Sequence, residues 1–423
     1  MFKQYFKQAI HALRENRLTS VVSILGTMLS VAMILVVVLQ FQIKLVGYSP
    51  VSKRDRMLYI YSVNTKSKDG SENNNTGLSA ETIRECLYTL KKPEAVTVTA
   101  QNSHVISIPG KRLFEEYTVY YTDPAFWKVF DFKFLSGKPF TEADFNSGLP
   151  HVVISDKLAG ILFGTQDVVG RDILVNNVMP CTIAGVVKRP SKAASEAFAD
   201  VWMPYTANTL YTNSGGCDGM CGPFGAEILA HKLSDIDSIY AEIQQGVARY
   251  NAGKADFILT IPKPFTHLEL ALGSGSRYGY NRVGWGEYLK TTGWVLLFLL
   301  LVPTLNLTGI VQSAVQKRRQ EMGLRKAFGA TGEPLFTQVV CENLIITLIG
   351  GVLGVGLSVV LLYVGRSFLL TKDTVITFGM LFQPLLFVAA LFFTLVLNVL
   401  SSGLPAFRIA RERIVESLKD ANV

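Results

Sequence analysis

The stretch that decides the fold joins two apolar segments and reads Lys317-Arg318-Arg319-Gln320-Glu321-Met322-Gly323-Leu324-Arg325-Lys326-Ala327-Phe328-Gly329-Ala330-Thr331-Gly332-Glu333-Pro334. It carries five basic residues against two acidic ones, as cytoplasmic loops of membrane proteins do. Gly329 and the Gly332-Glu333-Pro334 run are typical of helix ends, so one or two short helices are predicted. The interleaved Met322, Leu324, Ala327 and Phe328 are not explained by a loop that faces only water. The sequence therefore favours a docking surface for a cytoplasmic partner over an ordinary basic loop.

Long apolar segments lie on both sides of this stretch. A membrane-spanning helix needs about 20 mostly apolar residues, and four runs of that length contain no Asp, Glu, Lys or Arg. The whole chain of 423 residues is 49% hydrophobic and 17% charged, which fits a membrane protein with a large soluble part. The predicted transmembrane helices are residues 18–45, 287–316, 335–366 and 374–404.

The position of the charges sets the predicted orientation. Residues 48–286 hold 24 basic and 24 acidic residues, so the net charge of +8 comes entirely from the termini, the 317–334 loop and the membrane flanks. This distribution follows the positive-inside rule and argues against a nucleic-acid groove. We therefore predict that residues 1–17 (an amphipathic helix lying in the inner lipid headgroups), the 317–334 loop and the tail 405–423 are cytoplasmic.

The segment 46–286 is predicted to be a large α+β extracytoplasmic domain. Strand and helix patterns occur in residues 51–103 and return in residues 225–265, with Ser234 as the expected cap of the second helix. Two such units separated in sequence indicate a split, ferredoxin-like part that resembles a porter domain. Residues 104–224 between them are rich in strand patterns and are predicted to form an inserted β-rich part.

The composition of two further stretches of this domain is informative. Residues 65–77 are polar and contain three consecutive asparagines, which predicts a flexible loop. Residues 123–134 are dense in aromatic side chains, and we expect core packing there in preference to a ligand site.

Cysteine spacing leaves several chemistries open. Cys217 and Cys221 bracket three residues in a glycine-rich loop, and a pair outside the membrane can close a small disulfide. Free thiols remain an alternative. A metal site is less favoured because no neighbouring histidine or cysteine pair completes four ligands.

Glycines and one acid mark the third predicted span. Gly350, Gly351 and Gly354 allow close helix packing, either within the chain or in a dimer. Glu342 lies at the cytoplasmic mouth of this span, where its carboxylate can favour the helix N-terminus or pair with Arg325 or Lys326. A proton-carrying role for Glu342 is less favoured because it lies at an edge without an intramembrane partner.

Several of these motifs resemble those of a known protein family. Residues 318–331 are similar to the R-R-x-E-I-G-L-R-[RK]-A-[LF]-G-A-T signature of MacB/FtsX-type ABC transporter permeases. Glu342 with the glycine pair that follows it, and the tail from Pro405 to Lys419, also resemble the family, although Ile414 and Ser417 replace its proline and alanine. Several external motifs resemble its periplasmic core domain, namely residues 123–134, 136–140, 162–164 and 168–171.

The resemblance implies a four-helix half-transporter of the bacterial inner membrane, with a periplasmic domain, that pairs with a second permease half, identical or paralogous. It implies that the 317–334 loop docks on cytoplasmic ABC ATPase subunits. Nucleotide-driven closure of those subunits would move the periplasmic domain on the other side of the membrane, a mechanism called mechanotransmission. A periplasmic adaptor and an outer-membrane channel are left open as partners, besides membrane lipid. The residues expected to couple to the ATPase are Arg318, Arg319, Glu321, Met322, Gly323, Leu324, Arg325, Lys326, Phe328 and Gly329.

One departure from MacB concerns the nucleotide site. MacB itself carries its ATPase ahead of the first span, whereas this sequence contains no G-x-x-x-x-G-K-[ST] motif. We therefore expect no cofactor on this chain, with ATP and Mg bound by a partner ATPase.

Three classes of function are compatible with these patterns to different degrees. The first is efflux or extraction of a peptide, lipoprotein, lipid or toxic compound. The second is a transmembrane signaller that regulates a periplasmic cell-wall hydrolase without transport. An enzyme is the least favoured class, because the five histidines are scattered and no Gly-x-Ser-x-Gly or His-Glu-x-x-His motif is present.

Overall fold

The computed structural model describes residues 17–110, 114–213, 216–273 and 332–365, and isolated positions at 286, 290, 293–294, 384, 387–389, 391–392 and 395–396. Within these ranges the side chains of residues 19, 41 and 332–343 are not described. The predicted amphipathic helix 1–17 (apart from Arg17) and most of the predicted spans 287–316 and 374–404 lie outside the described residues.

The chain divides into two units, Met1–Ile43 with Leu289–Val423, and Lys44–Tyr288. In the first unit, helix α1 runs from Arg17 to Leu45, at the boundary with the second, and helix α9 from Gly332 to Val364. Among the described residues these two helices are long and apolar enough to cross a membrane, over Ser20–Leu45 and Leu344–Val364. They overlap the predicted first and third spans, while the total of four spans remains a prediction.

The second unit is built on a ten-stranded mixed sheet in the part of it that the structure describes. Its strand order is β14-β1-β12-β4-β5-β10-β7-β9-β6, and β8 pairs with β4 and β9. The strands are β1 Met57–Ile60, β4 Ala95–Ser107, β5 Glu116–Thr122, β6 Phe134–Gly137, β7 His151–Ser155, β8 Asp172–Val175, β9 Met179–Val187, β10 Val201–Pro204, β12 Gly225–Leu229 and β14 Phe265–Thr266. The sheet runs without a break through the predicted porter-like and inserted parts, so their division stays a prediction.

A smaller four-stranded sheet has the order β11-β3-β2-β13. Its strands are β2 Val63–Ser67, β3 Asn73–Leu78, β11 Cys221–Gly222 and β13 Phe257–Thr260. The prediction of a flexible loop over 65–77 was therefore wrong, because this stretch forms the β2–β3 hairpin. Its turn is held by the Asp69 carboxylate, which accepts the backbone N–H of Ser71 at 2.9 Å, and alternate residues of β2 are buried.

Short helices connect these strands. Helix α2, Ala80–Thr82, continues as a π-helical turn over Ile83–Leu87, and helix α7, Ile236–Ala252, packs against that turn. The prediction that Ser234 caps α7 was wrong. The N-cap residue is Asp235, whose side chain makes no capping hydrogen bond, and the Ser234 hydroxyl donates to the Asp235 carboxylate instead. The remaining helices are α3 Phe126–Val129, α4 Glu142–Asn146, α5 Asp156–Phe163, α6 Thr209–Thr212 and α8 His267–Leu272.

The strand order in the predicted porter-like part follows from these pairings. β13 pairs with β2, β1 pairs with β12, and β12 pairs with β4, all antiparallel. Because β1 and β2 are separated by only two residues, they act as one bent strand that enters both sheets. Counting β1 with β2 as the first strand, β4 as the second, β12 as the third and β13 as the fourth, the order in space is fourth, first, third, second. With a helix after the first and after the third strand, this is the order of a ferredoxin-like unit.

Alternation along the strands buries both faces of the large sheet. Leu58, Val98 and Val119 point into one hydrophobic cluster, which also receives the π-helical turn and α7. Their neighbours Tyr59 and Tyr120 point into a second cluster on the other face. The aromatic stretch 123–134 belongs to this second cluster, where Phe126 and Phe130 are fully buried.

Candidate functional site

The predicted ATPase-coupling residues from Arg318 to Gly329 lie outside the described residues. Glu342 lies within helix α9, but its side chain is among those not described. Their assignment therefore stays a prediction.

The three glycines of the third span lie where helices approach closely. A Cβ atom on Gly350 would come within 2.7 Å of the Thr27 Cβ of α1, and one on Gly354 within 2.7 Å of the Val31 Cβ. A Cβ on Gly351 would collide with the Leu391 side chain. This geometry lets α1 and α9 approach more closely than larger residues would permit.

Cys217, in the loop that precedes β11, is joined as a disulfide to Cys221, the first residue of β11. Cys86 and Cys181 are buried free thiols, and burial raises the pKa of each thiol to about 12. Among the described residues, no group of three or more His, Cys, Asp or Glu side chains is arranged to hold a metal ion.

A buried ionic cluster marks the start of the second unit. Arg54, in the 3-10 turn Arg54–Arg56, is only 2% exposed, and Glu196 is 4% exposed. The Arg54 guanidinium donates from Nε to Glu196 Oε1 at 2.7 Å and from Nη2 to Oε2 at 3.2 Å. Such a two-point pair fixes the direction of both side chains as well as their separation.

Arg54 also binds backbone carbonyls near the end of α1. Its Nη1 donates to the Val46 carbonyl at 3.2 Å, and its Nη2 donates to the Ala193 carbonyl at 2.7 Å. The guanidinium carbon lies 4.9 Å from the ring centre of Tyr48. The last carbonyls of a helix lack intrahelical partners, so a cation placed just past Leu45 is well situated to bind them.

His267, the first residue of α8, completes the cluster. Its Nε2 lies 2.8 Å from the Lys44 carbonyl and must donate to it, so the ring nitrogen Nδ1 accepts the Tyr59 hydroxyl at 3.1 Å. Nδ1 is also 3.9 Å from Glu196 Oε1. We call Arg54, Glu196 and His267, with the carbonyls of Lys44 and Val46, the Arg54 cluster.

The cluster determines the charge state of its members. Burial opposes ionisation of Glu196, but the adjacent Arg54 outweighs it and keeps the pKa of the carboxyl below its usual value. Burial likewise acts against the Arg54 charge, and Glu196 reverses the effect, so the pKa of Arg54 is raised. Burial lowers the pKa of His267, which keeps the imidazole neutral. The result is one compensated ion pair and one neutral hydrogen-bonding ring.

The Arg54 cluster ties four segments of the second unit together, one of which is the start of that unit at Lys44–Val46. Sequence reasoning did not find it, because Arg54 lies in a charged run and Glu196 lies 142 residues away. The one available signal was a single acid within an alanine-rich stretch, residues 193–199.

Comparison with known families gives two matches along the chain. Residues 20–249 match the family described as MacB-like periplasmic core domain, and residues 293–414 match the family described as FtsX-like permease C-terminal. The first match alone covers more than half of the 423 residues.

Curated relatives agree with these matches. A macrolide export ATP-binding/permease protein MacB of Escherichia coli is 25% identical and covers 99% of this chain, while the chain covers 60% of that protein. The ABC transporter permease YknZ of Bacillus subtilis is 26% identical over 71% of this chain and 70% of its own length. The chain thus spans about 60% of the length of the MacB relatives it matches.

Solved structures give weaker similarity. The periplasmic region of MacB from Actinobacillus actinomycetemcomitans is 17% identical, with a TM-score of 0.34 over 49% of this chain and 88% of that one. The extracellular domain of YknZ is 19% identical, with a TM-score of 0.34 over 47% of this chain and 99% of its own. These scores are too low to establish a common fold, so the family assignment depends on sequence.

Proposed function

This chain belongs to the MacB/FtsX-type family of ABC transporter permeases, and on that premise we propose that it couples ATP hydrolysis in a separate cytoplasmic ATPase to movement of its periplasmic domain. The movement would export or extract a peptide, lipoprotein, lipid or toxic compound by mechanotransmission. Family membership makes it an inner-membrane protein with a periplasmic domain.

The observation that carries the mechanical part of the proposal is the Arg54 cluster. A domain that is moved by a transmembrane helix needs a connection that does not yield under load. Arg54 and His267 hold the carbonyls of Val46 and Lys44, within two residues of the end of α1. Separating the partners of a buried ion pair such as Arg54–Glu196 costs roughly 3–5 kcal/mol. The segment after α1 that Arg54 holds should therefore resist deformation better than an exposed loop.

A second supporting feature is the helix contact inside the first unit. Gly350 and Gly354 bring α9 close to Thr27 and Val31 of α1. Because packed helices move as a body, displacement of α9 would be passed to α1. In the proposed mechanism the 317–334 loop, which immediately precedes most of α9, receives the motion from the ATPase.

The proposed topology places both termini and the 317–334 loop in the cytoplasm. ATP and Mg would be bound by the ATPase subunits and not by this chain. The second permease half would be an identical copy or a paralogue.

The test is affinity purification of the tagged chain from native membranes, followed by mass spectrometry of the proteins recovered with it. An ABC ATPase in stable stoichiometry is expected. A paralogous four-span chain in the complex would indicate a heteromeric extractor, and its absence a homodimeric exporter. Recovery of a periplasmic hydrolase, with ATPase activity unaffected by candidate substrates, would favour signalling without transport. An intact complex that lacks any ATPase would overturn the proposal.

A further inference from the structure

The loop closed by Cys217 and Cys221 anchors neighbouring elements of the periplasmic domain. Met220, inside the loop, is fully buried. Its carbonyl accepts the backbone N–H of Ser79 at 3.3 Å and the hydroxyl of Thr82 at 3.1 Å. Ser79 is the N-cap of α2, where its hydroxyl accepts the Thr82 N–H at 3.0 Å. The start of α2 therefore depends on the position of this loop.

The backbone of the loop adopts an uncommon conformation. Cys217 and Asp218 both have φ of +57°, and Gly219 follows with φ of +79°. Left-handed conformations are unfavourable for residues with a Cβ atom, and two of them in succession are rare. The bond between the two cysteines holds the turn closed, so opening the bond would allow these residues to relax.

Each sulfur of the disulfide has its own hydrogen-bond donor. The Thr65 hydroxyl lies 3.4 Å from Cys221 Sγ, and because a disulfide sulfur carries no hydrogen, Thr65 is the donor. The Asn74 side-chain amide donates to Cys217 Sγ at 3.4 Å. Thr65 and Asn74 are directly opposed in the β2–β3 hairpin. A cross-strand pair thus presents one donor to each sulfur.

Hydrogen-bond donors beside the two sulfurs favour thiol–disulfide exchange. Hydrogen bonds to a thiolate stabilise it, and a stabilised thiolate leaves faster when its disulfide is attacked. The two sulfurs also differ in access, since Cys217 is half-exposed while Cys221 is buried. An external thiolate would therefore attack Cys217, and Cys221 would leave beside the Thr65 hydroxyl.

We propose that Cys217–Cys221 is a thiol–disulfide exchange site that reacts with a periplasmic protein carrying a dithiol active site. One partner thiolate attacks Cys217 Sγ, the Cys217–Cys221 bond breaks, and its electron pair leaves on Cys221. The second partner thiolate then attacks the partner sulfur of the mixed disulfide and releases Cys217. The chain gains two electrons and two protons, and the partner is oxidised to its disulfide.

Reduction would be transmitted through the loop to a polar cleft. The Asp218 carbonyl accepts a hydrogen bond from Lys254 Nζ at 2.7 Å, and the same ammonium pairs with Glu81 at 2.9 Å. Lys254 and Glu81 line this cleft together with Glu85 and Arg249. When the loop relaxes, the Met220 and Asp218 carbonyls leave their donors, which loosens α2 and leaves Lys254 paired with Glu81 alone of these two partners.

The test uses the oxidised full chain in detergent, with dithiothreitol as the reducing probe at pH 7. Free thiols at Cys217 and Cys221 are alkylated at intervals and counted by peptide mass spectrometry. The folded wild-type chain should be reduced, Thr65→Val should slow reduction about fivefold because the leaving thiolate loses its donor, and Thr65→Ser should restore the rate. Asn74→Ala should slow reduction less, because its partner Cys217 is the attacked sulfur and becomes the leaving thiolate only in the second step. Asn75→Ala is the matched control, since neighbouring side chains of a strand point to opposite faces.

The structural consequence is measured in the same samples by hydrogen exchange. Exchange of residues 79–87 should rise on reduction, while that of strand β7 should not change. Reduction only after unfolding in denaturant would overturn the proposal, as would equal rates for wild type, Thr65→Val and Asn74→Ala. Unchanged exchange of residues 79–87 in the reduced chain would overturn the anchoring role.

Discussion

Replacing Arg54 with methionine should be among the most damaging single changes in the periplasmic domain. Methionine fills much of the same space but leaves Glu196 charged and buried without its partner, and the Val46 and Ala193 carbonyls without a donor. Removing one partner of a buried ion pair costs about 3–5 kcal/mol. For a domain of this size each kcal/mol lowers Tm by roughly 2–4 °C, so a fall of about 10 °C is expected.

The assay is thermal unfolding of the detergent-purified full chain, followed by tryptophan fluorescence. Trp202 is fully buried in the second hydrophobic cluster and reports on the domain. The matched control is Arg84→Met, which removes an exposed pair in which the Arg84 side chain is 70% accessible. That change should shift Tm by no more than about 4 °C, because exposed ion pairs contribute less than about 1 kcal/mol.

A double variant separates the ion pair from general disruption. Replacing Glu196 with leucine in the Arg54→Met background removes the unpaired charge, so the double variant should be more stable than Arg54→Met alone by about 2 kcal/mol. A loss of less than about 1 kcal/mol in Arg54→Met, or a double variant that loses the sum of both single losses, would refute the interpretation of the Arg54 cluster as a stiff, compensated connection.

Three further predictions follow from the described contacts. Burial raises the pKa of Asp123 to about 6, so its ionisation above that pH destabilises the folded domain. When the pH is lowered from 7.5 to 5, the free energy of unfolding of wild type should therefore rise by about 1 kcal/mol more than that of Asp123→Asn, as measured by chemical denaturation. Gly354→Ala should lower the Tm of the first unit through a clash with Val31 worth about 1–3 kcal/mol, whereas Gly356→Ala, which meets open space, should not. His267→Leu should lower the free energy of unfolding by about 1–2 kcal/mol at pH 7.5, because the Lys44 carbonyl loses its donor. Burial lowers the pKa of His267, so the stabilisation that the neutral ring gives to wild type should decrease as the pH falls below about 6.5, and the variant should show no such decrease.

Periodicity predicted much of the fold. The charge-free run that begins at residue 18 became helix α1, and the strand-rich pattern predicted for residues 104–224 includes β7 and β9. These succeed because burial imposes a period on apolar residues wherever an element packs on one face. The hairpin over 63–78 was missed because its stability comes from β13 and β11 on either side, which are distant in sequence.

The candidate site was harder to predict than the fold. The motif at residues 318–331 identified the family directly, since a short specific signature needs no spatial information. The Arg54 cluster gave no such signal, because Arg54, Glu196 and His267 each look like ordinary surface residues in sequence. Only the folded chain brings Arg54 within hydrogen-bond distance of Glu196, and His267 within hydrogen-bond distance of the Lys44 carbonyl.

Docking of the 317–334 loop on the ATPase is the step on which the proposed function depends most directly. The direct measurement is the amount of ATPase recovered with the tagged wild-type chain and with the double variant Glu321→Ala, Arg325→Ala, at equal amounts of permease. If these residues are central to the docking surface, recovery should fall at least about tenfold, while the Cys217–Cys221 disulfide and the Tm of the periplasmic domain stay as in wild type. Unchanged recovery of the ATPase with the double variant would contradict the assignment of the loop.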